Sequence, residues 1–226
     1  MGKLILASDK VAKKPYLFKD IGVEVYTLEE LCYICYEYFE IVIDDFPSTS
    51  ITNWIKDDIE MNEILFDVVK KANNSESEIE CLFGMLRNSY LYSAEELDVL
   101  GAKLEVWKKK SNDEKIKLKG DTALYFKKYN EAIKYYKKLN QEEKPDVLHN
   151  LGVISMNLGQ YKNAIKKFKT AFSISANLDS LSQYLLALLV DKQYELLFLE
   201  LLKYSKKYSD SRLWYVFGLY YELQKD

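Results

Sequence analysis

The chain has 226 residues, enough for one large domain or two small ones, each with a core of its own. Its 32 basic and 35 acidic residues leave a formal charge of -3, so no global field draws it toward nucleic acid or an anionic membrane. Only Arg87 and Arg212 are arginines, which leaves few of the planar forks that grip phosphate bidentately.

Three prolines and eight glycines give little punctuation, while 48% hydrophobic residues, with nineteen tyrosines among them, give ample packing material. A mainly α protein is expected. The opening "MGKLILASDK" is too short in its apolar run for a signal peptide, and no later stretch approaches the ~20 apolar residues of a membrane span. Leu6 stands where a myristoylation signal needs Ser or Thr after Gly2. The expectation is a soluble, cytoplasmic chain whose three cysteines, an odd number, are reduced thiols.

In chain order, "KLILA", "PYLF" and "VEVYT" are short apolar or alternating runs that predict a two- or three-stranded ribbon. Thr27 followed by Glu30 is a capping box that opens the strongly apolar helix "LEELCYICYEYFEIVI". "SITNWIKDDI", "NEILFDVVKKA" and "SEIECLFGMLR" carry apolar residues at helical spacing. Ser93 with Glu96 caps a further helix, "AEELDVLGAKLEVWKKK". Beyond it the texture changes, so residues 1–110 are expected to form a helical N-terminal domain with a small β ribbon, and 111–226 a second domain.

In that second part, Leu148 to Phe172 carries Gly152 and Gly159, then Tyr161, Ala164, Phe168 and Ala171 at helical intervals. Moving back 32 residues brings Gly152, Tyr161, Ala164 and Phe168 onto Gly120, Tyr129, Ala132 and Tyr136. Moving forward 33 brings Tyr161 onto Tyr194 and Phe168 onto Leu201, with Leu185 and Leu197 at the glycine and alanine positions. A further 33 places Trp214, Phe217, Gly218 and Tyr221 in register with Leu148, Leu151, Gly152 and Ser155. A fixed period of this length is the mark of stacked helical hairpins, each burying one face on its neighbour. Gly152 and Ala164 are small where two helices cross closely; Tyr161 and Phe168 are large where a hairpin meets the next.

These residues resemble the tetratricopeptide repeat, with its W-x2-L-G-x2-Y first helix and its alanine and aromatic in the second. Leu151, Gly152, Gly159, Tyr161, Ala164, Phe168 and Ala171 match in one copy, and Trp214, Phe217, Gly218 and Tyr221 in the terminal one. Lys127 stands where the inter-helix glycine is usual, Ser155 replaces the tyrosine, and Ala176 replaces the closing proline. The resemblance implies a solenoid of about three hairpins plus a terminal helix over residues 112 to 226. The first forty residues are loosely similar to uncharacterised tetratricopeptide-containing proteins of low-GC Gram-positive bacteria, which implies an adaptor-type role.

The chemistry-bearing residues are sparse. Cys32-x-x-Cys35 has the spacing of a redox pair, but lies within an apolar helix rather than at its start, where a thiolate is favoured, so packing is the expected role. Zinc would need about four ligands, and beyond this pair only Cys81 and His149 are soft candidates. His149 is the sole histidine and has no nucleophile motif around it. The carboxylates Asp44, Asp45, Asp57, Asp58 and Glu60 read as solvated helix ends, and no glycine-rich phosphate loop occurs. No catalytic residue, metal site or cofactor is expected.

In the family, first helices line the concave face. That projects Lys117, Asp121 and Tyr125 from the first copy, His149, Asn150, Val153 and Asn157 from the second, Gln183 and Leu186 from the third, and Arg212 and Tyr215 from the last. Chaperone-binding members clamp a C-terminal carboxylate there; Lys117 and Asn150 match that pattern, but Asp121, Asp179 and Gln183 do not, and added carboxylates repel such a ligand. The leading expectation is a non-enzymatic adaptor holding a protein or peptide segment, with no nucleic-acid or membrane partner. A thiol redox protein using Cys32 and Cys35, and a subunit that self-assembles through the terminal helix, are the alternatives.

Overall fold

The computed structural model describes residues 10–60, 77–140 and 144–223; the runs "KLILA" and "NEILFDVVKKA" lie outside them. The chain divides into two compact units, Met1–Ala132 and Ile133–Asp226.

The first unit opens with a two-stranded antiparallel ribbon, β1 (Tyr16–Phe18) and β2 (Val23–Val25), with Leu17 opposite Glu24. Gly22, at a φ of 57°, closes its turn in the left-handed region that glycine tolerates. α1 (Leu28–Glu37) begins at the Thr27 box: the Glu30 N–H donates to Thr27 Oγ1 and the Thr27 N–H to the Glu30 carboxylate, both at 3.2 Å. The expected single helix to Ile43 breaks at Tyr38, which leaves helical geometry at φ -128° and ψ 40°, and α2 (Phe39–Val42) follows. Burial in α1 spreads round the helix from Ile34 through Leu31 and Cys35 to Tyr36, wider than the single stripe of an amphipathic helix, and beyond the kink Phe39 and Val42 are buried as well.

α3 (Thr49–Trp54) widens into a π turn over Ile55–Ile59. α4 (Glu78–Asn88), α5 (Ala94–Lys109) and α6 (Asn112–Tyr125) each open on a Ser-x-x-Glu capping box, at Ser77, Ser93 and Ser111. The compositional boundary at 110/111 falls between the end of α5 and the cap of α6. Leu31, Ile55, Leu82, Met85, Leu100 and Leu104 form the fully buried centre, and Phe39 meets Trp107 edge-on at 5.6 Å. On α6, Lys119 pairs with Asp44 and Thr122 donates to Glu40, whose carboxyl is pushed up by burial. α7 (Tyr129–Tyr136) spans the point where the two units divide.

The second unit contains α8 (Pro145–Asn157), α9 (Tyr161–Ser175), α10 (Leu178–Val190), α11 (Tyr194–Ser205) and α12 (Ser211–Leu223). α9 packs on α8 and α10, α10 on α11 and α12, and α11 on α12. That is the nearest-neighbour order of a helical solenoid.

The period is built into the backbone. Lys127, Gly159 and Lys192, 32 and 33 residues apart, all take a left-handed φ, of 57°, 71° and 59°. The following N–H groups, of Lys128, Gln160 and Gln193, donate to the carbonyls of Ala123, Ser155 and Leu188 at 2.9, 2.8 and 2.9 Å. One turn therefore joins the helices of each hairpin, and lysine at two of its copies occupies a conformation suited to glycine. Ala176 is also left-handed, at φ 53°, a value proline's ring forbids, which accounts for the missing closing proline.

Packing repeats with a substitution of volumes. A Cβ at Gly152 would lie 2.6 Å from the ring of Phe168, itself fully buried. In the next copy the shorter Leu201 takes the aromatic's place and Leu185 the glycine's, both buried. At the α9–α11 level the buried Glu200 accepts a hydrogen bond from Tyr184 Oη at 3.2 Å and has Lys169 and Lys203 at 3.7 Å.

Two register-equivalent glycines should respond oppositely in urea unfolding. Gly152→Ala drives a methyl into the Phe168 ring and should lose about 1–3 kcal/mol, whereas Gly218→Ala, with nothing within 4 Å, should gain about 0.5–1 kcal/mol from helix propensity. Lys192→Gly relieves a left-handed lysine and should raise stability by about 0.5–1 kcal/mol in the same assay.

Candidate interaction surface

The first helices of the second unit carry the projected groove residues at matching positions. His149, Asn150, Val153 and Asn157 share one face of α8, since positions one, four and eight apart cluster on a helix. Gln183 and Leu186 on α10 lie 33 residues beyond Asn150 and Val153. All are half-buried except Asn157, which is exposed.

Several of these side chains hold the repeats together. His149 Nδ1 shares a 2.9 Å hydrogen bond with Ser180 Oγ on α10, and its ring meets the edge of Phe168 at 5.3 Å. Burial pushes the His149 pKa down, with the Asp179 charge acting the other way, so the imidazole is neutral at pH 7. Asn150 Nδ2 donates to the buried Tyr136 Oη at 3.1 Å. On α12, Arg212 pairs with Asp179 on α10 and forks onto Asp210, with Nε and Nη2 at 2.8 and 2.7 Å from its oxygens. The Arg212 hydrogen bonds hold the Asp210 carboxyl down at about 2.

What faces outward is less engaged. Asn157 Nδ2 donates to its own helix at the Val153 carbonyl, 2.8 Å away, and Tyr215 is 64% exposed. Val153 and Leu186 pack partly on the core beneath.

Lys117, Asp121 and Tyr125 belong to the first unit. Lys117 Nζ lies 2.7 Å from Asp121 along α6. Tyr125 is 71% exposed; its ring stacks on Tyr38 at 6.1 Å and borders a cleft of about 500 Å3 shared with Tyr33, Phe126, Glu29 and Glu30. Another cleft, of about 590 Å3, lies between Trp107, Val106, Val99, Lys103 and Leu118. The larger lining also includes Glu40 and Lys110; neither lining contains a histidine or a cysteine.

Cys32 and Cys35 are fully buried in the first unit. Burial pushes the Cys32 thiol up to about 12 and that of Cys35 well above its usual value. A nucleophilic cysteine needs the reverse shift.

Residues 145–178 match the family model of the tetratricopeptide repeat. The match runs from the first residue of α8 to the first of α10, so it covers one full hairpin, with Gly152, Gly159, Tyr161, Ala164 and Phe168 inside it. No curated protein matches the chain. Tetratricopeptide repeats in general mediate protein–protein interaction and are typically non-catalytic. Among the described residues no helix is long and apolar enough to cross a membrane.

The partners Ser180 and Asp210 were not among the projected residues, and Asp179 entered only as a departure from the carboxylate clamp. Asp179 and Arg212 did carry a signal, being opposite charges one 33-residue period apart.

His149 gives a pH dependence. Its native pKa lies below the ordinary value of about 6.5, so its contribution is complete above that value. As pH falls below it, the unfolded chain takes the proton first and stability drops until the native pKa is passed. Denaturation between about pH 7.5 and 5 should show this loss, and His149→Gln should flatten it.

Proposed function

We propose that the chain is a non-enzymatic adaptor that holds a protein or peptide segment along the first helices α8, α10 and α12 of its repeats. The observation that carries this reading is the tetratricopeptide match, flanked by a hairpin that repeats the same left-handed turn and a further first helix. First helices stacked in register offer a segment a row of side chains at a regular interval, the arrangement that solenoids use for extended partners.

The charges narrow the kind of segment. Arg212 faces Asp179 and Asp210, and Lys117 faces Asp121, so these cations are locally neutralised. A clamp for a C-terminal carboxylate needs cations directed at the ligand, and this pattern does not supply it. Recognition falls to Tyr215, Val153 and Leu186 as aromatic and apolar anchors, with amide hydrogen bonds from Asn157 and Gln183 setting register. Asn150 is a poor probe, because its loss would also remove the bond to Tyr136.

Tyr215→Ala and Asn157→Ala test the reading. Both residues are exposed, so circular dichroism should be unchanged, while partners crosslinked and pulled down with the native chain should be lost or weakened about tenfold or more with Tyr215→Ala. Retention of every partner by both folded variants would overturn it.

A further inference from the structure

The second helices of the three hairpins differ in what they show to solvent. In register, the first hairpin carries the half-buried Glu131 and the exposed Lys134 on α7, with the exposed Lys137 just past its end, and α9 presents Asn163, Lys166 and Lys169, whereas α11 presents Leu196, Leu199 and Leu202. These leucines are 37%, 63% and 40% exposed. They lie opposite the buried side of α11, formed by Leu197, Glu200, Leu201 and Tyr204. A helix apolar on both sides is ordinarily covered on both, and a contiguous exposed apolar stripe marks an interaction surface.

The flanking charges identify what covers it. Leu196 and Leu202 are each three residues from Leu199, and Glu195 and Lys203 are each four residues from it, on the same outward side. Both charges are exposed. An antiparallel second copy of the same helix, related by a two-fold axis at Leu199, sets Leu199 on Leu199, Leu196 on Leu202, and Glu195 on Lys203 twice over. Opposite charges meet at both ends of the leucine stripe, as an isologous contact requires. A parallel copy would instead oppose glutamate to glutamate and lysine to lysine.

We infer that α11 pairs with α11 of a second copy of this chain, antiparallel across a two-fold axis at Leu199, to form a homodimer. This contact uses the second-helix face, and does not depend on a partner bound along the first helices.

Sedimentation of the full chain tests it. A single helix seam falls at the low end of interface sizes, so masses should be read from roughly 5 to 500 µM, where they should rise from 26.5 kDa toward twice that value. Leu199→Glu should stay at the monomer mass throughout with unchanged circular dichroism. Under mild oxidant, Leu199→Cys should form a covalent dimer with itself because position 199 lies on the axis, whereas Glu195→Cys, facing position 203, should not. The native cysteines described are buried and should not compete. A native chain that remains monomeric, a dimer that survives Leu199→Glu, or self-crosslinking at 195 in place of 199 would overturn the inference.

Discussion

Phe168 occupies the space that any side chain at position 152 would need, and the architecture of the second unit follows from that exclusion. The ring can be fully buried only because α8 offers bare backbone there, which sets how closely α8 and α9 approach. The same ring receives His149 edge-on, and His149 bonds Ser180, so one aromatic residue fixes positions on α8, α9 and α10. The next hairpin meets the requirement with Leu185 and Leu201, exchanging a void and a large ring for two medium side chains.

Charge is used mainly within the chain. Glu200 is buried beside Tyr184, Lys169 and Lys203; Lys119 meets Asp44; Arg212 is held between Asp179 and Asp210. A buried carboxylate needs such donors, since leaving it without them would cost several kcal/mol. Lys119 and Arg212, held in this way, have little net charge to offer a ligand, which directs recognition along the first helices toward aromatic, apolar and amide contacts.

Much of this was legible in the sequence for local physical reasons. The Thr27 and Ser93 boxes announce helix starts because a hydroxyl and a carboxylate three residues apart satisfy each other's backbone groups. Gly152, Ala164 and Phe168 announce a close crossing because the small–large pattern recurs at a fixed period. The kink at Tyr38 was not legible: continuous apolar character is compatible with one helix or two, and tertiary burial decides. Lys127 read as a departure from the repeat, yet its backbone follows Gly159 and Lys192, since a single strained residue costs only about 1–2 kcal/mol within a stacked array. His149 and Asn150 were assigned to a groove by position alone; their ties to Ser180 and Tyr136 depend on which neighbours stacking brings near.

The leucines of α11 show where helical periodicity fails and the longer period succeeds. "YELLFLELLKYS" is apolar in nearly every direction, so a 3.6-residue pattern cannot separate core from surface within it. Register against α9 does separate them: Leu197 and Leu201 inherit the places of Ala164 and Phe168, while Leu196, Leu199 and Leu202 inherit those of Asn163, Lys166 and Lys169. The first set is buried and the second exposed, as the inheritance requires. Stacking explains why the first set is apolar, but it places no demand on the second, because neighbouring hairpins keep those positions polar. An apolar residue at such a position answers to a contact outside the stack.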